Sequence, residues 1–450
     1  MSEAQTDLAT ALGAAMAREG IGGPVTELVR LTGGANMESW RFHAGGQAWV
    51  LRRAPSAQWL EGRALTMAGE AAIVRHARAG GVAAPRVVAQ CTWNDPVGAG
   101  YVMECLPGSA DPELALAGGA PLARDIATAM ARIHALDPAG AAHLPRLEPA
   151  AGVEKLAAQW AEAGGDRPII ALGLAWLRAH CPAPVPPVVV HGDLRIGNLM
   201  VHEGRLSGVL DWELAHLGDG HEDLAYGCMT VWRFGQLDRP AFGLTDVETM
   251  AAAYDAAGGE AFDPARFRFW LVYRTVWWAL GCLEMGRAWR SGADRSLERV
   301  VVARRAAEQE LDVLALIEAD APGAELARPV QPPAPPPPAG VGEPSATEIL
   351  QAIGEWLNDR VKPQVSGRDR WELAVARNAL GIVQRELGGG RAPADRALAQ
   401  DILAGRVTLA TPGLLADLRA RALATLAADM PRYPAHAPAL ARWTAPGKDT

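Results

Sequence analysis

Two carboxylates and a carboxamide are spaced along residues 191–211 as transfer of a phosphoryl group to an alcohol requires. The stretch starts with His191-Gly192-Asp193-Leu194-Arg195-Ile196-Gly197-Asn198 and ends with Val209-Leu210-Asp211-Trp212-Glu213. Such a transfer needs one group to orient and deprotonate the acceptor hydroxyl, and others to hold Mg²⁺ against the phosphates of ATP. Asp193 is the candidate base, and Asn198 and Asp211 are the candidate Mg²⁺ ligands. The spacing therefore predicts a kinase.

The elements predicted around these residues would bring them to one place. The apolar run 187–190 indicates a buried strand that delivers His191 and Asp193 to a loop. Residues 199–210 form two apolar runs around a Glu-Gly pair, which is typical of a hairpin that returns the chain to the site at Asp211. His191 is expected to orient the loop by hydrogen bonding, because an aspartate already supplies the base.

A nucleotide-binding sheet is predicted upstream. Residues 26–31, 39–43 and 47–52 form strand-like runs separated by glycine-containing turns. Gly33 and Gly34 lie between the first two runs, where backbone N–H groups could approach phosphate oxygens. Taken alone, the two glycines are more typical of a plain hairpin turn.

The third strand departs from the usual kinase pattern, in which a lysine contacts the α- and β-phosphates. None of the chain's lysines lies in the first 107 residues, so Arg52 is predicted to bind phosphate through its guanidinium. Its expected ion-pair partner is Glu70, on a helix predicted over 68–79; the alternative is a solvated helix charge. Arg53 should point to the opposite face. Residues 101–108 indicate a hinge in which backbone groups near Glu104 and Leu106 bind adenine.

These residues resemble the aminoglycoside phosphotransferase and choline kinase-like family, whose signature is H-G-D-x-x-x-x-N, an apolar strand and then I-D-W/F-E. The resemblance covers roughly residues 25–325 and includes a G-D-G-H-E-D-L-A run, in which it implies that Asp223 braces the catalytic loop. It implies an α+β, bilobal protein-kinase-like fold with a small antiparallel sheet lobe and a mostly helical lobe. It also implies ATP and Mg²⁺ as cofactors and a small-molecule hydroxyl as acceptor.

A proline-rich stretch marks a change of domain. Because proline cannot continue a helix or donate to a sheet, residues 329–344 are predicted to form an extended linker. The expected organisation is an N-terminal nucleotide-binding lobe (1–107), a helical catalytic and acceptor lobe (108–328), the linker, and a C-terminal all-α domain (345–450). Local patterns predict one long helix over 297–317, a capping box between Ser345 and Glu348, and a helix from Pro412 capped by Thr411.

The C-terminal domain resembles a small bacterial helical domain of unassigned chemistry that often occurs as a separate chain beside phosphotransferases of this type. That resemblance implies a hydroxyacyl-CoA kinase fused to its helper, with a CoA thioester as acceptor. The tail is net positive and the preceding residues are net negative, so intramolecular docking is expected. A helical tag unrelated to catalysis remains the alternative.

Composition narrows the possible classes of protein. The chain has 450 residues, 49% of them hydrophobic, and a formal net charge of -8, which argues against nucleic-acid binding. The segment nearest to a membrane span, 267–285, is interrupted by charged residues and is better explained as a buried helix, so no membrane partner is expected. Five cysteines without a C-x-x-C pair, and no signal-like start, indicate the cytoplasm. An aminoglycoside, choline or sugar acceptor, and an inactive nucleotide-binding scaffold, stay open as alternatives.

Overall fold

A computed structural model describes residues 3–31, 37–61, 63–330, 345–389 and 392–445. The strands are β1 (Thr26–Arg30), β2 (Glu38–Ala44), β3 (Gln47–Arg53), β4 (Val87–Cys91), β5 (Gly100–Glu104), β6 (Val188–Val190), β7 (Leu199–His202), β8 (Arg205–Val209) and β9 (His216–Gly218). The helices are α1 (Glu3–Arg18), α2 (Ala57–Leu60), α3 (Met67–Ala79), α4 (Pro112–Ala117), α5 (Gly119–His134), α6 (Pro149–Glu162), α7 (Pro168–Ala179), α8 (His221–Gly227), α9 (Val247–Ala256), α10 (Pro264–Ser291), α11 (Leu297–Ala303), α12 (Ala306–Ile317), α13 (Gly323–Leu326), α14 (Ala346–Trp356), α15 (Gly367–Leu387), α16 (Arg396–Leu403), α17 (Leu414–Asp429) and α18 (His436–Thr444).

The chain divides into two compact units. The first unit is Met1–Glu148 with Pro184–Phe267, and the second is Pro149–Ala183 with Arg268–Thr450. The domain boundaries expected from the sequence stay predictions, and residues 331–344 of the expected linker lie outside the described residues.

The first unit contains a five-stranded antiparallel sheet in the order β1-β2-β3-β5-β4. Leu12 of α1 and Phe42 and Leu51 of the sheet are fully buried in one apolar cluster. Burying a side chain of this size contributes about 1.5–3 kcal/mol. The register is set by this burial: Arg52 pairs with Ser39 on one side and with Tyr101 on the other. A one-residue slip would turn the Arg52 side chain to the other face.

Helix α3 packs beside this sheet. Thr66 caps its N-terminus, because the Thr66 hydroxyl accepts a hydrogen bond from the Gly69 N–H at 3.1 Å. Ile73, Val74 and Ala77 recur at helical spacing and are buried, as predicted. Glu70 lies in the first turn of the same helix and is also buried, so the helix carries a carboxylate into the interior.

The predicted strand and hairpin before Asp211 are present in the first unit. Strand β6 pairs with β9, and β7 pairs with β8 in an antiparallel hairpin that turns at Glu203 and Gly204. Both residues have positive φ, 50° and 74°, as in a type I′ hairpin turn. The hairpin thus joins the 191–198 loop to Asp211.

The second unit is helical in its described residues, and buried polar contacts tie its last helices to earlier ones. Glu318 accepts hydrogen bonds from Arg419 of α17, at 2.7 and 3.0 Å, and from the Trp443 indole of α18 at 2.9 Å. The Tyr433 hydroxyl donates to Asp312 of α12 at 2.6 Å. Removing one member of such a buried pair costs about 3–5 kcal/mol, so these contacts specify where the C-terminal helices lie within this unit.

Two predicted helix boundaries in the second unit are wrong, and one is confirmed. The helix expected over 297–317 is divided, because the N–H groups of Arg304 and Arg305 bond three residues back rather than four. Helix α17 begins at Leu414 after Gly413, whose φ of 82° stops the helix from extending to Thr411. The capping box between Ser345 and Glu348 is present at the start of α14. No helix within the described ranges is long and apolar enough to cross a membrane.

Candidate active site

The loop between β6 and β7 makes a tight turn at a position that only glycine can occupy. Gly192 has a φ of 79°, and a Cβ at this position would lie 2.4 Å from the Leu214 carbonyl oxygen. Only glycine tolerates both the backbone conformation and this close approach. The tight turn places Asp193 at the surface of the site, where the residue keeps 7% of its accessible area.

The two side chains predicted to act together, Asp193 and Asn198, are in direct contact. The Asn198 amide donates to Asp193 Oδ2 at 2.6 Å and to the Asp193 carbonyl at 2.9 Å. The other carboxylate oxygen, Oδ1, accepts from Arg195 Nε at 3.0 Å. Because its amide nitrogen is bound to Asp193, Asn198 has its amide oxygen left for a cation. The carboxylate is fixed in orientation by two donors and keeps lone pairs for a proton.

His191 acts as an internal brace in this loop. Its Nδ1 accepts from the Asp193 N–H at 3.1 Å, so its Nε2 carries the proton and donates to the Leu210 carbonyl at 3.1 Å. Burial lowers the pKa of His191, against the opposing effect of the Asp223 carboxylate. A neutral imidazole with both nitrogens bound agrees with the predicted orienting role.

Asp223 holds the beginning of the same loop. Its fully buried carboxylate accepts the backbone N–H groups of His191 and Gly192 at 2.8 and 2.9 Å, and it lies 3.2 Å from His134 Nε2. Burial raises the pKa of Asp223, but hydrogen bonding and the charge of His134 outweigh burial and lower the pKa to about 2. The carboxylate is therefore ionised and supports the loop, as the resemblance implied.

Asp211 reaches the site through the hairpin. The Leu210 N–H donates to the Asn198 carbonyl at 2.8 Å, which brings Asp211 next to the end of the catalytic loop. Asp211 adopts a φ of 66°, an uncommon conformation for a residue with a side chain. Carboxylate and carboxamide oxygens are the hard ligands that Mg²⁺ prefers, so Asn198 and Asp211 fit that cation.

Arg52 lies at the centre of a cluster of three carboxylates. Its Nε is 2.8 Å from Glu70 Oε1, an ion pair rather than an aligned hydrogen bond, and its Nη2 lies 2.5 Å from Asp211 Oδ1. Nη2 is also 3.3 Å from Glu213 Oε2. Burial lowers the pKa of Arg52, but the charges of Asp211 and Glu70 outweigh it and hold the pKa well above the usual range. The expected partner Glu70 is further fixed by the Tyr101 hydroxyl, which donates to it at 3.1 Å.

Arg53 points elsewhere, as expected. It forms an ion pair with Glu38 of β2 at 2.7 Å and donates to the Val97 carbonyl at 3.0 Å. The alternation of side chains along β3 therefore separates the two arginines, and Arg52 is the one that joins the cluster.

Sequence reasoning missed the part played by Glu213. Its carboxylate faces Arg52 and also Arg63, whose Nη1 lies 3.5 Å away. Burial, and then the neighbouring Asp211 charge, raises the pKa of Glu213 to about 7. The signal was available, because Glu213 is the last letter of the D-W-E run, but nothing in the spacing showed which way the side chain points.

Of the remaining predicted site residues, the structure describes Glu104 and Leu106 but not Gly33 and Gly34. The Glu104 N–H bonds to the Arg86 carbonyl at 2.9 Å, and the Glu104 side chain pairs with Arg78 at 2.6 Å. The Leu106 N–H bonds to no other described residue, so it is available to a nucleotide. Gly33 and Gly34 lie outside the described residues.

The chain matches a family model, curated proteins and solved structures. The family model described as "Phosphotransferase enzyme family" matches residues 27–270. Acyl-CoA dehydrogenase family member 10 of Mus musculus is 30% identical over 228 residues, which are 47% of this chain and 21% of that protein. IBR3 of Arabidopsis thaliana, also named as an acyl-CoA dehydrogenase, is 32% identical over 115 residues, 22% of this chain and 14% of that protein. The chain thus spans about a fifth or less of these relatives' length.

A solved structure supports the fold. A protein of Ralstonia eutropha JMP134, assigned as an aminoglycoside phosphotransferase, superposes with a TM-score of 0.55 at 23% identity. The match covers 69% of this chain and 98% of that one. The predicted fold class is confirmed: an α+β, kinase-like fold with additional C-terminal helices.

Proposed function

Because the chain belongs to the phosphotransferase enzyme family, we propose that it transfers the γ-phosphoryl group of ATP to the hydroxyl of a small molecule. The observation that carries this proposal is one constellation in the first unit. Asp193 is oriented by Asn198, and Arg52 forms ion pairs with both Asp211 and Glu70. A base, cation ligands and a phosphate-binding cation are the parts that this reaction needs.

Each residue has a separate task in the proposed reaction. Asp193 accepts the proton of the acceptor hydroxyl as that oxygen attacks phosphorus. Asn198 and Asp211 hold Mg²⁺, which when bound neutralises charge on the β- and γ-phosphates. Arg52 supplies a fixed positive charge for phosphate oxygens, and Glu70 keeps the guanidinium in place. Backbone groups at Glu104 and Leu106 bind adenine.

We further propose a hydroxyacyl-CoA as the acceptor. Two curated relatives that match this chain are named as acyl-CoA dehydrogenases, which supports a CoA thioester over an aminoglycoside. The resemblance of the C-terminal helices to a helper domain points to the same acceptor class. A cytoplasmic location suits this chemistry, and the five cysteines are free thiols.

The test measures ADP release with a panel of alcohols. It includes 3-hydroxybutyryl-CoA and 4-hydroxybutyryl-CoA, the two free hydroxy acids, choline and kanamycin. Acceptor-dependent ADP release with the thioesters alone, and a phosphorylated thioester by mass spectrometry, is the expected result. The Asp211→Ala variant is the matched background. Equal rates with the free acids would remove CoA from the proposal, and turnover of choline or kanamycin would favour the other acceptor class.

The C-terminal helices are proposed to assist turnover of the acceptor. A chain that ends near residue 329 would leave Asp312 and Glu318 without the partners that Tyr433 and Arg419 supply, so simple truncation would also destabilise the second unit. Changes on the exposed face of α14, Ile353→Ser and Trp356→Ser, avoid this problem because those side chains are 41% and 58% exposed. Lower acceptor turnover with unchanged ATP binding would support a helper role, and unchanged turnover would contradict a contribution from this face.

A further inference from the structure

The Arg195 side chain is fixed against the candidate base. Its Nε donates to Asp193 Oδ1 at 3.0 Å and its Nη1 donates to the Ile196 carbonyl at 3.1 Å. The guanidinium carbon lies 4.3 Å from the centre of the Trp232 ring, within the range of a cation–π contact. The side chain keeps 22% of its accessible area. A long, flexible residue is thus held in one orientation by three contacts.

One edge of this guanidinium remains for another ligand. No hydrogen bond joins Arg195 Nη2 to any residue that the structure describes. In a guanidinium the Nε–H and one Nη2–H point the same way, so the edge that faces Asp193 carries a second donor beside the base. That edge matches two oxygens of a phosphoryl group.

The charges give a reason for placing a cation beside a base. When Asp193 accepts the proton of the acceptor, its charge disappears and Arg195 loses its counter-ion. At the same stage, negative charge on the transferring group needs a partner. The guanidinium can exchange one anion for the other with little movement.

We propose that Arg195 is a catalytic residue whose Nε and Nη2 edge binds the phosphoryl group during transfer. The bond from acceptor oxygen to phosphorus forms while the bond from phosphorus to the β–γ bridging oxygen breaks. The hydroxyl proton passes to Asp193, and ADP departs with the electron pair of the broken bond. This inference rests on the proposed phosphoryl transfer. A residue that only braces the loop would affect folding and ground-state binding instead.

The test compares Mg-ADP binding with and without aluminium fluoride, which mimics a phosphoryl group in transfer and needs no identified acceptor. The variants are Arg195→Gln and Arg195→Lys. The matched control is Arg205→Gln, because Arg205 forms an ion pair with Asp125 at the surface and is 67% exposed. Calorimetry gives the affinity in each case. Transition-state mimics bind more tightly than ground-state ligands. Aluminium fluoride should therefore raise the affinity of the wild type for Mg-ADP about tenfold or more.

We expect Arg195→Gln to bind Mg-ADP with wild-type affinity in the absence of aluminium fluoride. Its affinity should not rise when aluminium fluoride is added. Arg195→Lys should retain part of the gain in affinity, and Arg205→Gln all of it. The inference would be overturned if Arg195→Gln showed the full gain in affinity with aluminium fluoride. It would also be overturned if the wild type bound Mg-ADP but showed no such gain. Either result would leave the proposed function standing. A wild type that binds no Mg-ADP would instead overturn the proposed function. If Arg195→Gln does not fold, a full gain in affinity in Arg195→Lys overturns the inference, and a reduced gain supports it.

Discussion

Replacement of Asp223 by asparagine tests how the catalytic loop is held. The carboxylate accepts two backbone N–H groups and lies against His134, with no exposed area. Asparagine has the same shape, but it replaces one acceptor oxygen with an NH₂ group that would face an N–H donor. The loop should therefore lose both the charge and one hydrogen bond.

The expected magnitude follows from the pKa of Asp223. A value of about 2 against the usual 3.8, at about 1.36 kcal/mol per pKa unit, corresponds to stabilisation on the order of 2 kcal/mol at neutral pH. Because the folded-state pKa is lowered, this contribution is complete above about pH 4 and is lost as the pH falls towards 2. A free-energy change on the order of 2 kcal/mol alters a local opening equilibrium by roughly 30-fold.

Hydrogen exchange of a peptide that spans residues 188–198 measures that opening. Asp223→Asn should exchange roughly 30-fold faster there, whereas Asp125→Asn, which removes a surface partner of Arg205, should change this peptide little. Turnover should fall as well, because the loop also carries Asp193. Equal protection in the two variants would refute the idea that Asp223 holds the loop.

Three further predictions concern the carboxylate cluster and its arginine. Glu213 has a raised pKa of about 7, so the folded state binds more protons than the unfolded chain between about pH 4.5 and 7. Stability should therefore fall as pH rises through this window, and unfolding midpoints of Glu213→Gln should show a flatter dependence. Arg52→Ala should lower the affinity for Mg-ATP, measured by calorimetry, about tenfold or more, and Arg52→Lys should have an intermediate affinity. A greater loss of affinity in Arg53→Ala would mean that β3 is assigned out of register by one residue. Asp211→Ala should abolish turnover and weaken Mg-ATP binding, and wild-type affinity would contradict its role as a ligand.

The site residues that the sequence located are those governed by local geometry. Asp193 and Asn198 are five residues apart in one loop, so their contact follows from the loop itself. Arg52 and Glu70 could be paired because strand alternation and helical spacing each fix a face. Their meeting also needed the kinase resemblance, since no local rule places α3 against β3.

Sequence reasoning was weaker where neighbours distant in the chain decide the structure. The contacts of Arg195 with Trp232, and of Glu213 with Arg63, depend on tertiary folding. Helix starts were misjudged for a related reason. Thr411 has the chemistry of an N-cap, yet its hydroxyl accepts from the Thr408 N–H within the preceding turn, and α17 begins beyond it. Such competition between equivalent polar partners is not visible in a linear pattern.

The Asp193→Asn variant tests the central claim most directly. Asparagine keeps the size of the side chain and can still contact Asn198, but it cannot accept the proton of an alcohol. Turnover on the acceptor found with the panel should fall about 10²-fold or more, while the affinity for Mg-ATP stays within about threefold of wild type. Turnover close to wild type with unchanged ATP affinity would contradict phosphoryl transfer with Asp193 as the base.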